Sequence, residues 1–265
     1  MSKDLLVTRD NGIATLTMNR PEARNALSLD MREGLFQAVT ELEVDDEIRC
    51  VVIKGAGEHF MAGGDVKAFK DFVKMAPQER RQNFERRIHG LHPTMFTLSR
   101  MKKPVIASVQ GAAAGFGLSL MMACDMVIAA EDAFFTLAYI NIGTTPDGSG
   151  TYTLPRIVGM KKAMEIAMLG DRISAQEAKD IGLINFVVPT SDLAAETEKL
   201  AKRLANGPTV AIGLTKQLLN TSLNNGMEAQ LSLEAQNFAA CAASDDWVEG
   251  VTAFGEKRRP EFKGK

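Results

Sequence analysis

One carboxylate, Asp147, stands in an unusual segment of the chain, TTPDGSG at residues 144–150. A proline before an acid and a glycine after it are typical of a tight turn. Just downstream the chain becomes apolar again, with Tyr152, Leu154 and Ile157. A carboxylate in an apolar pocket has a raised pKa and can both accept and donate a proton. Asp147 is therefore a candidate acid–base residue, and the alternative is a turn residue without chemistry.

Two glycine-rich segments could supply backbone donors to a ligand. Gly63-Gly64-Asp65 follows a predicted strand, and QGAAAGFG at residues 110–117 follows a second strand and opens an apolar helix. One free N–H from each segment could hold a developing oxyanion. Tight turns and close helix–sheet packing explain the same glycines, so both interpretations stay open. The spacing is not GxGxxG, which argues against a dinucleotide site.

The histidines do not form a metal-binding pattern. His89 and His92 lie three residues apart, and His59 is remote from both. A metal site would need further nitrogen, sulfur or carboxylate ligands at matched spacing. GxSxG, P-loop and HExxH motifs are also absent from the sequence. We therefore expect no metal and no separate cofactor.

The composition is that of an ordinary globular protein. The 265 residues are 45% hydrophobic and 24% charged, with a net charge of -2. This balance gives no sign of a nucleic-acid or membrane partner. The polar N-terminus does not resemble a signal peptide, and the apolar region 105–130 is interrupted by Gln110 and Asp125, which favours a buried core segment. Three scattered cysteines predict reduced thiols and a cytoplasmic protein.

Short strands alternate with helices, which predicts an α/β core. Strands are expected at 5–9, 13–18, 50–53, 104–109, 126–130 and 183–188. Helices are expected to begin at Ser28 and Ser174 and to span 115–124, with less defined helices over 67–100 and only helices beyond residue 192. In this tail Trp247, Val251 and Phe254 form an apolar stripe, which needs the core or another subunit as a partner.

Six segments together resemble the enoyl-CoA hydratase/isomerase family, also called the crotonase superfamily. They lie at residues 19–28, 55–66, 103–130, 142–159, 170–189 and 253–262, including NRPEARNALS, GAGEHFMAGGDV and PDGSGTYTLPRIVG. The resemblance implies an α/β fold, with a spiral core of ββα units over 1–200 and a C-terminal helical trimerisation region over 201–265. It implies a coenzyme A thioester as substrate and a homotrimer or a hexamer of two trimers.

The resemblance also assigns roles to individual positions. It implies an oxyanion hole formed by the N–H groups of Gly64 and Phe116. Arg24 would contact the CoA phosphates or ribose, and Ala62 would offer its carbonyl to the adenine. Lys257 would reach CoA from a neighbouring subunit, with Phe254 beside it. The remaining expected CoA contacts are in the first glycine loop: Gly63, Asp65 and Val66.

The chain departs from the typical hydratase pattern at two positions. Family hydratases carry two glutamates that hold and activate a water, and here these positions are Ser119 and Tyr139. Neither is a strong base at neutral pH. The proline-acid-glycine turn at Asp147 is instead similar to that of 3-enoyl-CoA isomerases, and to isomerase-like proteins of bacterial phenylacetate breakdown. The resemblance thus implies a double-bond shift with Asp147 as proton shuttle.

Other interpretations stay open at the level of the sequence. Asp147 could serve a hydratase or another enolate reaction, such as hydrolysis or retro-addition, together with a water. A CoA-binding protein without turnover is a third possibility. Residues of the variable stretch 67–95 would line the acyl pocket, with Phe69, Phe72 and Met75 as candidates, although ordinary helix packing explains them equally well.

Overall fold

The computed structural model describes residues 2–265 and contains two sheets. Its strands are β1 (Leu5–Asp10), β2 (Ile13–Met18), β3 (Cys50–Gly55), β4 (Val105–Val109), β5 (Ala112–Ala114), β6 (Met126–Ala130), β7 (Phe134–Thr136), β8 (Ile173–Ser174) and β9 (Phe186–Val188). The main sheet has the order β1-β2-β3-β4-β6-β9. A smaller sheet has the order β5-β7-β8.

The main sheet is parallel except for its first pair. Strands β1 and β2 form an antiparallel hairpin, and its turn residues Asn11 and Gly12 have φ of 49° and 77°. Positive φ at both central residues is what a two-residue hairpin turn requires, and Asn-Gly tolerates it best. The hairpin predicted from Asn-Gly is thus confirmed.

The connections between the two sheets build the repeated unit of the fold. Strand β4 continues into β5 of the small sheet, and β6 continues into β7 in the same way. After β3 the chain makes the equivalent crossing, because Met61 forms a parallel bridge with Ala113 of β5. A helix follows each crossing, so the chain forms the expected spiral of ββα units.

Helices cover both faces of the main sheet and form the C-terminal region. They are α1 (Leu29–Val44), α2 (Lys70–Val73), α3 (Pro77–His89), α4 (His92–Arg100), α5 (Phe116–Met122), α6 (Gly150–Val158), α7 (Met160–Leu169), α8 (Ala175–Asp180), α9 (Leu193–Ala205), α10 (Thr209–Ser222), α11 (Met227–Ala242) and α12 (Asp245–Glu256). Within residues 2–265 no helix is long and apolar enough to cross a membrane.

Local sequence signals explain where the predicted helices begin. The Ser28 hydroxyl accepts a hydrogen bond from the Met31 N–H at 3.0 Å, and α1 buries Met31, Leu35 and Leu42. The Ser174 hydroxyl accepts from the Glu177 N–H at 3.2 Å in the same way. Both residues are N-caps, as the sequence predicts.

The strands bury side chains on both faces of the sheet, because successive residues point to opposite sides. In β3, Val51 and Ile53 belong to the large core. Cys50 and Val52 face the other way and pack in a second cluster that includes residues of α9. This two-sided burial gives β3, β4 and β6 their continuous apolar sequences.

The C-terminal helices are attached to the core by a partly buried ion pair. Lys216 of α10 lies 2.7 Å from the Asp125 carboxylate and also donates to the carbonyl of Leu98 at 2.7 Å. Helix α9 runs across residue 200, where the resemblance implies a division between core and C-terminal region. The division at residues 200 and 201 stays a prediction. On α12, Trp247, Val251 and Phe254 are exposed by 44%, 53% and 88%.

Candidate active site

A cavity of about 1280 Å³ opens between the spiral core and helix α3. Its wall includes the loop after β3, the start of α5 and the segment that precedes α6. It contains Gly64, Phe116 and Asp147, the three residues that the sequence assigns to catalysis. The volume is sufficient for an acyl group together with part of a larger carrier.

Two backbone loops meet at the bottom of this cavity. Gly63 has φ of 89°, and a Cβ added to it would lie 3.0 Å from the Ala114 carbonyl oxygen and 3.5 Å from the Phe116 nitrogen. Within residues 2–265 the N–H groups of Gly64 and Phe116 donate to no protein acceptor. Two neighbouring donors without a partner can take a ligand oxygen that becomes negative.

Two hydroxyl groups hold Asp147, one at its side chain and one at its backbone. Tyr139 donates from its phenolic oxygen to Asp147 Oδ1 at 2.5 Å. The buried Ser119 hydroxyl donates to the Asp147 backbone carbonyl at 2.8 Å. Both sequence positions that hold glutamates in typical hydratases are therefore hydrogen-bonded to the single acid.

The turn after Asp147 packs directly on Phe116, the first residue of α5. Gly148 has φ of 56°, and a Cβ at this position would come within 2.8 Å of the Phe116 ring. Glycine is the residue that satisfies both the backbone conformation and the available space. The turn that contains Asp147 is thus held against the Phe116 ring by local packing.

The surroundings of Asp147 favour a carboxyl that can exchange a proton. Burial raises the pKa of Asp147, and the hydrogen bond from Tyr139 and the nearby His92 act in the opposite direction. Burial also raises the pKa of Tyr139, and the charge of Asp147 raises it further. Tyr139 therefore stays protonated and remains a hydrogen-bond donor at neutral pH.

An aromatic group forms another part of the cavity wall. Phe84 lies 5.0 Å from Phe69 and 5.2 Å from Phe72, measured between ring centroids. Phe69 and Phe72 line the cavity, as the sequence suggests. Met75 is outside the cavity wall and its sulfur lies 3.7 Å from the Asn83 side-chain nitrogen, in agreement with ordinary helix packing, the alternative left open for it.

The candidate CoA contacts of the first glycine loop lie at the cavity, but Asp65 has a structural role. Ala62, Gly63 and Val66 line the wall together with Asp65. The Asp65 carboxylate is bonded to Arg20 at 3.2 Å and caps the following turn of helix. Its side chain is thus occupied by the protein itself.

The remaining candidate CoA residues lie outside this cavity. The Arg24 carbonyl accepts from the Ala62 N–H at 2.9 Å, which places the two residues side by side, but the Arg24 side chain is exposed to solvent. Phe254 and Lys257 lie at the end of α12 and do not line the cavity of their own chain. One chain therefore brings together only part of the predicted CoA set.

Sequence reasoning missed a residue that holds the first loop in place. Asn25 is fully buried with φ of 56°. Its side chain accepts from the Arg20 N–H at 2.9 Å and donates to the carbonyls of Ala56 and His59 at 2.9 and 2.7 Å. The available signal was the asparagine within NRPEARNALS, a residue type that tolerates the left-handed conformation.

The described residues contain no cluster of three or more His, Cys, Asp or Glu side chains that could hold a metal ion. His89 and His92 are neighbours, with ring centroids 5.1 Å apart. The histidine pair is therefore a contact between two rings at the edge of the cavity.

Comparison with known proteins agrees with this architecture. The profile of the family described as enoyl-CoA hydratase/isomerase matches residues 8–265. The chain therefore belongs to the enoyl-CoA hydratase/isomerase family, whose members act on CoA thioesters.

Relatives with different activities resemble the chain over nearly its full length. The 1,2-epoxyphenylacetyl-CoA isomerase of Escherichia coli (strain K12) is 39% identical over 100% of both chains. The short-chain-enoyl-CoA hydratase of Clostridium acetobutylicum is 34% identical over 99% of this chain and 98% of its own. A crystal structure of an enoyl-CoA hydratase from Polaromonas sp. JS666 has a TM-score of 0.91 at 36% identity, covering 98% and 99% of the two chains.

Proposed function

We propose that the protein is an enoyl-CoA isomerase that moves a double bond between the 3- and 2-positions of an acyl-CoA. The observation that carries this proposal is the arrangement around Asp147. Tyr139 donates to its carboxylate and Ser119 donates to its carbonyl. The site thus contains one positioned acid, and the other carboxylate of the cavity wall, Asp65, is bonded to Arg20.

The proposed reaction needs one carboxyl and two backbone donors. The thioester oxygen lies against the N–H groups of Gly64 and Phe116. Asp147 takes a proton from C2, and the electron pair moves into the carbonyl to form an enolate. The protonated Asp147 then returns the proton at C4, so that the double bond lies between C2 and C3. Each donor to the enolate oxygen typically contributes roughly 100- to 1000-fold in rate.

Hydration is the second candidate, and the names of several relatives favour it. The short-chain-enoyl-CoA hydratase of Clostridium acetobutylicum is 34% identical, and the 2,3-dehydroadipyl-CoA hydratase of Escherichia coli is 38% identical. Water addition needs a base for the water and an acid for the α-carbon. Here Asp147 would have to serve both steps alone, which is why we rank isomerisation first.

The proposal includes a larger assembly and CoA contacts across subunits. The exposed apolar face of α12 supports a trimer or a hexamer, in which Lys257 and Phe254 of one subunit approach the CoA of the next. Within a subunit, Arg24, Ala62 and Val66 would hold the nucleotide end. Free cysteines favour a cytoplasmic location.

The test is a product analysis with purified protein. Supplied with 3-enoyl-CoA, it should form 2-enoyl-CoA without 3-hydroxyacyl-CoA. Accumulation of the hydroxy product would favour the hydratase. Binding of CoA esters without either reaction would favour a non-catalytic protein.

Replacing the acid tests its role. Asp147→Asn should lower kcat by about 100- to 10,000-fold, because a positioned acid–base group typically contributes that factor. The Kd for a saturated acyl-CoA should stay nearly unchanged. Asp171→Asn is the matched control, since Asp171 is exposed and outside the cavity. An unchanged kcat in the Asp147 variant would show that the base lies elsewhere.

A further inference from the structure

Arg32 and Arg87 are two of the four arginines in the cavity wall, with Arg80 and Arg81, and neither has a strong internal partner. Arg87 of α3 and Arg32 of α1 both line the cavity and are partly buried. Burial and the repulsion from Arg32 lower the pKa of Arg87, whereas Asp65 raises it. Within residues 2–265 Arg87 forms no ion pair, and Arg32 contacts only the exposed Glu33, at 3.6 Å. A bound anion would relieve this repulsion.

The aromatic wall fixes the position of the Arg87 guanidinium. Its central carbon lies 5.3 Å from the Phe72 ring centroid and 5.9 Å from that of Phe69. Such contact with two rings restrains the guanidinium and adds cation–π attraction. The charge is therefore presented at a defined place in the cavity rather than on a freely moving side chain.

A single phenyl ring separates this charge from the oxyanion loop. The Phe69 Cζ lies 3.4 Å from the position that a Cβ on Gly64 would occupy. The Arg87 guanidinium lies on the same ring, at the 5.9 Å given above. A short acyl chain that runs along Phe69 from a thioester oxygen at Gly64 would end at this guanidinium. The phosphates of CoA lie beyond the long pantetheine arm and do not fit so short a span.

We propose that Arg87, with Arg32 beside it, binds a carboxylate at the far end of the acyl chain, so that the preferred substrates are CoA monothioesters of dicarboxylic acids. Planar guanidinium groups bind carboxylates through paired, charge-assisted hydrogen bonds. Phe69 and Phe72 would contact the methylene groups between the two ends. The placement of the thioester at Gly64 rests on the proposed function.

The test compares the binding of saturated esters, which cannot react. Glutaryl-CoA is compared with pentanoyl-CoA, and adipyl-CoA with hexanoyl-CoA, by calorimetry. For at least one pair the dicarboxylic ester should bind about tenfold more tightly, a difference typical of one charge-assisted bond. Arg87→Gln should remove this preference. The control Arg86→Gln should retain it, because Arg86 is exposed on the same helix and outside the cavity wall.

The remaining outcomes each decide the proposal. Equal affinities within both pairs would overturn it. Arg87→Gln could instead weaken the binding of all four esters equally, and have no such effect on the corresponding 3′-dephospho-CoA esters. The guanidinium would then bind a CoA phosphate, and the proposal would be overturned. Should Arg87→Gln fail to fold, as judged by circular dichroism, Arg32→Gln must reduce the preference for the proposal to stand. These experiments measure binding and not turnover. A failure of the isomerase assay would therefore leave the binding test of Arg87 valid.

Discussion

At the scale of single residues, the Tyr139 hydroxyl tunes the acid. Its hydrogen bond to Asp147 lowers the pKa of that carboxyl, against the effect of burial. Phenylalanine at position 139 would remove the donor and keep the ring. In the proposed reaction, proton removal from the substrate needs the ionised form of Asp147.

We therefore expect Tyr139→Phe to shift the acidic limb of the pH profile of kcat/KM toward higher pH. At the acidic end, kcat/KM should fall by roughly tenfold, since a bond to a charged group typically contributes that much. The measurement is a pH–rate profile with a 3-enoyl-CoA. Tyr152→Phe is the control, because Tyr152 bonds Asn224 at 3.1 Å and is outside the cavity wall. If the acidic limbs of the wild-type and Tyr139→Phe profiles coincided, Tyr139 would not lower the pKa of the catalytic group.

Asp147 should also lower the free energy of unfolding at neutral pH. Burial raises the folded-state pKa of Asp147, so the folded chain holds this proton more tightly than the unfolded chain. The resulting stabilisation is complete below the unfolded pKa near 3.8 and is lost as the pH rises through the folded value. Above that value the folded state carries a partly desolvated charge.

Asp147→Asn should therefore raise the free energy of unfolding at neutral pH, and its advantage should shrink as the pH falls toward 4. Urea unfolding at fixed protein concentration, repeated over a series of pH values, measures both effects. An advantage that grows on acidification would show that the pKa shift has the opposite sign.

At the scale of elements, the contact of α5 with the first loop positions the N–H groups of Gly64 and Phe116, the proposed oxyanion donors. A Cβ on Gly117 would lie 2.4 Å from the Met61 carbonyl oxygen. Gly117→Ala should thus displace α5, lower kcat and destabilise the fold by about 1–3 kcal/mol, which is typical of overpacking. In the control Gly255→Ala, nothing lies within 4 Å of the added methyl. There the unfolding free energy should stay equal or rise by about 0.5–1 kcal/mol. Thermal unfolding measures the change in stability of both variants, and steady-state kinetics measures the change in kcat.

The elements themselves were predicted where local signals are strong. Serine N-caps indicated the starts of α1 and α8. The Asn-Gly turn indicated the hairpin, and runs of apolar residues indicated the strands of the main sheet. The predicted strand at 183–188 is shorter, Phe186–Val188, because only three residues pair with β6. The small sheet escaped prediction, since β5 is only Ala112–Ala114 and its pairing depends on residues far along the chain.

The site was predictable only in part for the same reason. The proline-acid-glycine turn indicated Asp147, and the glycine pairs indicated the two backbone loops. The fold brings all three to one cavity. The bonds from Tyr139 and Ser119 to Asp147 were not predictable, because hydrogen-bond partners depend on tertiary geometry. The sequence showed only that positions 119 and 139 lack the carboxylates of typical hydratases.

At the scale of the whole molecule, the exposed face of α12 predicts self-association. Trp247, Val251 and Phe254 present a large apolar surface, and a patch of this kind typically marks an interface. Phe254→Asp should shift the protein toward the monomer in sedimentation velocity and raise the KM for acyl-CoA. Val44→Asp, at an exposed apolar position on α1, should leave the assembly unchanged. A monomeric wild-type protein would refute the interface.

The two hydroxyls around Asp147 have a consequence for how this site can change during evolution. Acquiring a pair of water-activating carboxylates would require replacement of both Ser119 and Tyr139. Each replacement also removes a bond that fixes the existing acid. A lineage that changes one position at a time would therefore loosen the positioning of Asp147 before the pair of carboxylates is complete.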